Sequence, residues 1–146
     1  MAAPADPVAQ GFVVSLAHPG GNITGLSLLG AQLPSKRLEL LKEAVPHSTR
    51  IAVLANPAYP AHETMMHNLT GAARALGLHL DVVEVRGADE LDTAFAALTR
   101  AGADAVLVVE DAVVLNSQRG QVVASLAATR RLPVMYAWRE WVVAGC

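Results

Sequence analysis

The sequence has 146 residues, of which 53% are hydrophobic and 16% are charged, and its formal net charge is −2. This composition supplies one sizeable apolar core and excludes an extensively disordered chain. The balanced charge predicts no surface for nucleic acid or for an anionic membrane, and Cys146, the single cysteine, excludes an intrachain disulfide.

The first predicted element is a helix from Asp6 to about Ala17, because an Asp-Pro pair is a favourable helix start. Its apolar residues recur at every fourth position: Val8, Phe12 and Leu16. The segment 18–22 (HPGGN) then ends the helix, and Ile23–Leu26 is predicted to be a short strand.

A second helix is predicted to begin at Ser35, whose hydroxyl can cap it, and to end at Pro46. One face of this helix is apolar and carries Leu38, Leu41 and Val45.

No apolar run in the sequence reaches the roughly 18–20 residues of a membrane-spanning helix. Residues 1–12 also lack the basic and apolar regions of a signal peptide, so none is predicted in this chain.

From Arg50 onward, short apolar runs alternate regularly with amphipathic segments. Strands are predicted at 51–55, 80–85, 105–109 and 132–137. Helices are predicted between them, with apolar faces formed by Met65, Leu69, Ala72 and Leu76, by Leu91, Ala94, Phe95 and Leu98, and by Val122, Val123 and Leu126. Gly77 and Gly102 are expected to end the first two of these helices, Asp89 to cap the second, and Asn116 or Ser117 to open the third.

This alternation predicts an α/β fold, a doubly wound parallel sheet with helices on both faces in three αβα layers. With the flavodoxin-like strand order 2-1-3-4, the winding reverses between the first and third strands. A crevice then opens at the carboxyl ends of those strands. Asn56–Tyr59 and Glu110–Asp111 would flank it.

The sequence offers no catalytic constellation. The glycine-rich segment 18–25 lacks the lysine and the spacing of a phosphate-binding loop, so a tight turn explains it. His62 and His67 do not have the spacing of paired metal ligands, and Cys146 has no identifiable base. A Ser-centred elbow motif is also missing, so neither a cofactor, a metal nor an enzymatic activity is predicted.

Polar and aromatic residues at strand ends point to binding. Asn56, Tyr59, Tyr136 and Trp138 lie at or just past the ends of predicted strands, where open α/β sheets contact their ligands. Amide and phenol groups hydrogen-bond a polar solute without reacting with it. Asp111 suits either a ligand contact or the cap of the following turn.

Several segments carry a resemblance to a known family. They are 6–25 (DPVAQGFVVSLAHPGGNITG), 36–46 (KRLELLKEAVP), 51–57 (IAVLANP), 72–77 (AARALG) and 132–136 (LPVMY), and 19–25 is the most specific of them. With these segments the chain resembles the substrate-binding proteins of ABC transporters, in the branch that includes tryptophan-type binders. His18 stands where that family often has arginine.

The resemblance implies a type I periplasmic-binding fold, in which two lobes close on a solute. Residues 1–34 would form the end of the first lobe and the hinge, and residues 35–146 the second lobe. The chain would then be a fragment that covers mainly the second lobe. The resemblance implies ligand contacts by Asn56 and by the turn that follows it, which includes Tyr59. It also implies contacts by Asp111 and Tyr136, and by Thr24 and Asp6 from the hinge side.

The function implied by the resemblance is non-catalytic binding of a small polar, amino-acid-like solute for an ABC importer. Its partner would be an ABC permease, and the full-length protein would be a periplasmic or extracellular lipoprotein. The alternative is the effector-binding lobe of a transcription regulator with the same fold.

Apolar residues left uncovered near Val8 or in the segment Trp138–Val143 predict a homodimer of this chain.

Overall fold

A computed structural model describes residues 33–109, 117–137 and 139–145, together with residues 8, 11, 13–15, 17, 18 and 20–22. The strands are β1 (Arg50–Ala55), β2 (His79–Glu84), β3 (Ala105–Val108) and β4 (Val134–Met135). The helices are α1 (Leu33–Ala44), α2 (His62–Leu76), α3 (Leu91–Arg100), α4 (Ser117–Arg130) and α5 (Arg139–Gly145), and a 3₁₀ turn (Ala88–Glu90) precedes α3. None of the helices described here has the length and apolar character of a bilayer-spanning segment.

The strands form one parallel sheet in the order β2-β1-β3-β4. This confirms the predicted fold class, and the order is the flavodoxin-like one assumed above. Ile51 of β1 pairs with Leu80 on one side and with Ala105 on the other. Because β1 and β3 are central, their side chains are buried on both faces, and this explains why their sequences are continuously apolar.

Two apolar clusters, one on each face of the sheet, form the core. Successive residues of β1 alternate between them, so Ala52 and Leu54 belong to one cluster and Val53 to the other. The cluster of Ala52 is covered by α3, α4 and α5, and we call this side the α3–α5 face. The cluster of Val53 is covered by α1 and α2, and this side is the α1–α2 face.

Helix α2 shows how the sequence determines a helix and its end. Its buried residues are Met65, Leu69 and Ala73, so Ala73 packs more deeply than the predicted Ala72. Gly77 follows the helix with φ 65°, the left-handed conformation that terminates helices, which confirms its predicted role. The predicted stop at Gly102 is confirmed in the same way by its φ of 73°.

The prediction of a helix from Asp6 to Ala17 is wrong at the residues described there. Val8 and Gly11 lie in a turn, and residues 13–15 and 17 are not helical. Gly11 has φ 73°, and its N–H donates to the Val8 carbonyl at 3.0 Å, which closes the turn. The predicted strand Ile23–Leu26 lies outside the described residues.

Other differences concern helix ends and exposure. Helix α1 begins before Ser35, and α3 begins at Leu91 without a side-chain cap, so Ser35 and Asp89 do not act as predicted. Val122 was predicted to face the core but is exposed on α4. In the segment expected to support a dimer, Trp141 is buried within its own chain, and the homodimer stays a prediction.

Asp104 joins the amino ends of two strands. One carboxylate oxygen of Asp104 accepts from the backbone N–H of Thr49 at 2.7 Å and from that of Arg50 at 2.9 Å. These hydrogen bonds from the Thr49 and Arg50 backbone favour the charged carboxylate and lower the pKa of Asp104 below its ordinary value of 3.8.

Stability should therefore depend on the ionisation of Asp104. A carboxyl group with a lower pKa in the folded state stabilises fully above its unfolded pKa, and this contribution disappears as the pH falls through the folded pKa. We expect Asp104→Asn to lower the melting temperature at neutral pH by a few degrees. The decline of stability below about pH 4 should also become shallower. Thermal unfolding measured across this pH range tests both effects. A variant whose melting temperature falls with decreasing pH as steeply as that of the wild type would contradict the role of Asp104.

Candidate functional site

The carboxyl edge of the sheet is where the predicted site residues meet. Asn56 directly follows β1, and Tyr136 directly follows β4. Because the strands are parallel, both residues lie at the same edge. β3 lies between them, and the strand register places Tyr136 level with Leu54, two residues before Asn56. With strands about 4.8 Å apart and a rise of about 3.3 Å per residue, their backbones are separated by roughly 12 Å. This spacing suits two contacts to one small molecule from the same side of a site.

Asn56 is a buried polar residue that organises the turn after β1, and only 7% of its surface is exposed. Its side-chain Oδ1 accepts from the Ala58 N–H at 2.9 Å, and its carbonyl accepts from the Tyr59 N–H at 3.1 Å. The Tyr59 carbonyl then accepts from the N–H of His62, the first residue of α2, at 2.9 Å. Asn56 therefore forms an Asx turn that connects β1 to α2 in a fixed geometry.

The two predicted tyrosines pack on different sides of the sheet. Tyr59 is half-buried and packs against the apolar cluster of the α1–α2 face. Tyr136 is half-buried and packs against the cluster of the α3–α5 face. The structure thus brings Asn56 and Tyr136 to one edge, but it does not place the two tyrosine rings on a common face.

Sequence reasoning missed three residues that hold the segment after β4. The rings of Tyr136 and Trp141 make an edge-to-face contact, with centroids 5.9 Å apart and planes at 80°. Trp141 also packs directly over Gly120 of α4. From the other face, Nη2 of Arg37 donates to the Ala137 carbonyl at 3.4 Å. The sequence signal for the aromatic contact was a second tryptophan close after the last strand.

Several predicted residues lie outside the described part of the chain. They are Asp6, Thr24, Glu110, Asp111, Trp138 and Cys146. Their roles as ligand contacts or hinge residues stay predictions, as does the boundary at residue 34 between the two lobes.

The chemistry available at the edge is hydrogen bonding and aromatic contact. Among the described residues, no group of three or more His, Cys, Asp or Glu side chains is arranged to hold a metal ion. Asn56 offers a buried amide, and Tyr136 offers a ring with a phenol. A separate groove of about 420 Å³ lies between α1 and α2, and none of the predicted site residues lines it.

Comparison with known proteins agrees with the fold. A family model described as "ABC transporter substrate binding protein" matches residues 1–146. A "Tyrosine-binding protein" of Clostridioides difficile (strain R20291) is 27% identical over 135 residues, which are 92% of this chain and 38% of that protein.

Two solved structures show the same architecture. A "conserved domain protein" of Vibrio cholerae superposes with a TM-score of 0.80 at 25% identity, over 97% of this chain and 46% of its own. The "ABC domain in complex with L-Trp" from Streptococcus pneumonia has a TM-score of 0.77 at 24% identity, over 98% of this chain and 48% of its own. The chain therefore spans about half the length of these solved proteins and less of the curated relative.

Proposed function

The chain belongs to the family of ABC transporter substrate-binding proteins, and from this premise we propose that it forms one wall of a cleft that binds an aromatic amino acid. In the proposed function the full-length protein closes around the solute and delivers it to an ABC permease without converting it chemically. Because family members work outside the cytoplasmic membrane, we also propose that the full-length protein is a periplasmic or cell-surface lipoprotein.

The observation that carries this proposal is that Asn56 and Tyr136 lie at the same edge of the parallel sheet. The buried amide of Asn56 is fixed by its turn, and Tyr136 presents a half-buried ring at the end of β4, with β3 between the two residues. Such an edge suits a solute with polar groups at one end and an apolar ring at the other. The similarity to a tyrosine-binding protein supports the same class of ligand.

Closure of the full-length protein would follow from differential contact. A ligand that touches both lobes only in the closed state shifts the population toward that state. The regulator alternative has the same fold but is not favoured by the family match. It would respond to a small effector without a permease.

Thermal shift of the full-length protein tests the proposal. At a hundredfold excess over Kd, a ligand stabilises the folded state by about 2.7 kcal/mol, so L-tyrosine or L-tryptophan should raise the melting temperature by roughly 5 °C. L-alanine is the matched control, because it carries the same amino and carboxylate groups without the ring. Equal shifts with alanine would contradict the aromatic class, and no shift with any amino acid would contradict the proposed function.

A further inference from the structure

We infer that Trp141 is a positioning residue that holds the Tyr136 side chain in its ligand-binding orientation. Trp141 is itself held by packing against Gly120. This inference rests on the proposed function, because that proposal makes Tyr136 part of the cleft wall. Trp141 itself is only 3% exposed, so it acts through Tyr136 rather than by touching the solute.

The contact between Trp141 and Tyr136 is directional. At a centroid distance of 5.9 Å and an interplanar angle of 80°, the edge of one ring meets the face of the other. This arrangement is favourable for aromatic pairs, and it restricts rotation of the Tyr136 ring. Tyr136 is the first residue after β4, so fixing its ring fixes a side chain at the carboxyl edge of the sheet.

Gly120 has no side chain, and this leaves the room on α4 in which the Trp141 indole packs. A Cβ atom on Gly120 would lie 2.9 Å from Cγ of Trp141, so the indole occupies the space that any other side chain would need. Glycine inside a helix is unfavourable relative to alanine, and this local cost is offset here by the close packing of the indole on α4. The tryptophan and the glycine therefore form one packing unit between α4 and α5.

A second contact holds the neighbouring backbone from the opposite face. Nη2 of Arg37, on α1, donates to the carbonyl of Ala137 at 3.4 Å. Tyr136 and Ala137 are thus held by α5 from the α3–α5 face and by α1 from the α1–α2 face. A segment held in this way is ordered before the ligand arrives, so less rotamer entropy is lost on binding.

Affinity measurements on the full-length protein, with L-tyrosine as the probe, test the inference. We expect Trp141→Leu to raise Kd by about tenfold, because Tyr136 must then be ordered on binding. Trp141→Phe keeps an aromatic ring at this position and should rescue most of the affinity. In a Tyr136→Ala background, Trp141→Leu should have no further effect, because the residue through which it acts is missing.

Gly120 provides a second variant with a matched control. Gly120→Ala should displace the indole and raise Kd in the same direction as Trp141→Leu. Gly71→Ala is the control, because Gly71 lies within α2 and a Cβ there meets nothing within 4 Å. Gly71→Ala should leave Kd unchanged.

A measurement without ligand separates the failure of this inference from the failure of the proposed function. Nitration by tetranitromethane, followed by peptide mass spectrometry, reports the accessibility of each tyrosine. Trp141→Leu should speed nitration of Tyr136 several-fold and leave Tyr59, which packs on the opposite face, unchanged. If wild-type protein binds neither L-tyrosine nor L-tryptophan, the proposed function is wrong, and nitration alone decides whether Trp141 positions Tyr136.

Two outcomes would overturn the inference. One is an unchanged nitration rate of Tyr136 in both Trp141→Leu and Gly120→Ala. The other is an equal increase in Kd for Trp141→Leu with and without Tyr136, because Trp141 would then affect binding independently of that ring.

Discussion

Replacement of Phe95 by alanine is expected to lower the free energy of unfolding by about 3–5 kcal/mol. Phe95 is completely buried on α3 and belongs to the cluster of the α3–α5 face. Its ring also lies beneath the guanidinium of Arg130, 5.8 Å from the ring centroid. The substitution therefore removes apolar burial, leaves a cavity and deprives Arg130 of an aromatic surface. Urea-induced unfolding measures the loss.

Two variants show whether this loss comes from the cavity. Phe95→Leu refills most of the volume and should cost less than about 1.5 kcal/mol. Val122→Ala removes apolar atoms from a side chain on α4 that is 44% exposed, and it should change stability by no more than about 0.5 kcal/mol. A loss for Phe95→Ala no greater than that for Val122→Ala would show that this cluster is not a principal source of stability.

The sheet could be predicted from the sequence because its signals are local and repeated. The apolar run of Ile51–Ala55, the spacing of Met65 and Leu69, and the stop at Gly77 each indicate the element in which they occur. The strand order was assumed by analogy with flavodoxin-like sheets, because crossover geometry leaves few arrangements of parallel strands but does not select one of them. Boundaries differed by a residue or more, because backbone pairing with neighbouring strands, and not composition, determines where a strand ends.

The region before α1 illustrates where local signals fail. The recurrence of Val8 and Phe12 suggests a helix, but periodic apolar residues stabilise a helix only when they pack on a core. Gly11 lies between them and adopts φ 73°, a conformation incompatible with a helix interior. The sequence does carry a signal against the helix, because glycine is unfavourable in a helix interior.

The candidate site was predicted by position along the strands but not by side-chain direction. That Asn56 and Tyr136 end strands can be inferred from the sequence, and so can their common edge. The placement of Tyr59 and Tyr136 on opposite faces could not, because it depends on the path of the turn after β1. The contact of Trp141 with Gly120 depends on how α5 packs on α4, which no local pattern encodes.

Replacement of Asn56 by alanine is expected to lower the free energy of unfolding by about 1–2 kcal/mol and to weaken L-tyrosine binding by the full-length protein by about tenfold. The loss of stability follows from removing Oδ1, which accepts from the Ala58 N–H and orders the turn into α2. The loss of affinity follows from the proposed function, in which this ordered turn forms part of the cleft wall. Chemical denaturation and titration calorimetry measure the two effects separately.

Asn56→Asp separates the turn from the ligand contact. It keeps an oxygen for the Ala58 N–H but replaces the amide NH₂ with a second oxygen, so it removes the donor that a ligand carboxylate would require. We expect Asn56→Asp to weaken L-tyrosine binding more than Asn56→Ala does, because two carboxylates would then face each other across a largely buried position. Binding by Asn56→Asp at the wild-type Kd would contradict a ligand contact and restrict Asn56 to the Asx turn between β1 and α2.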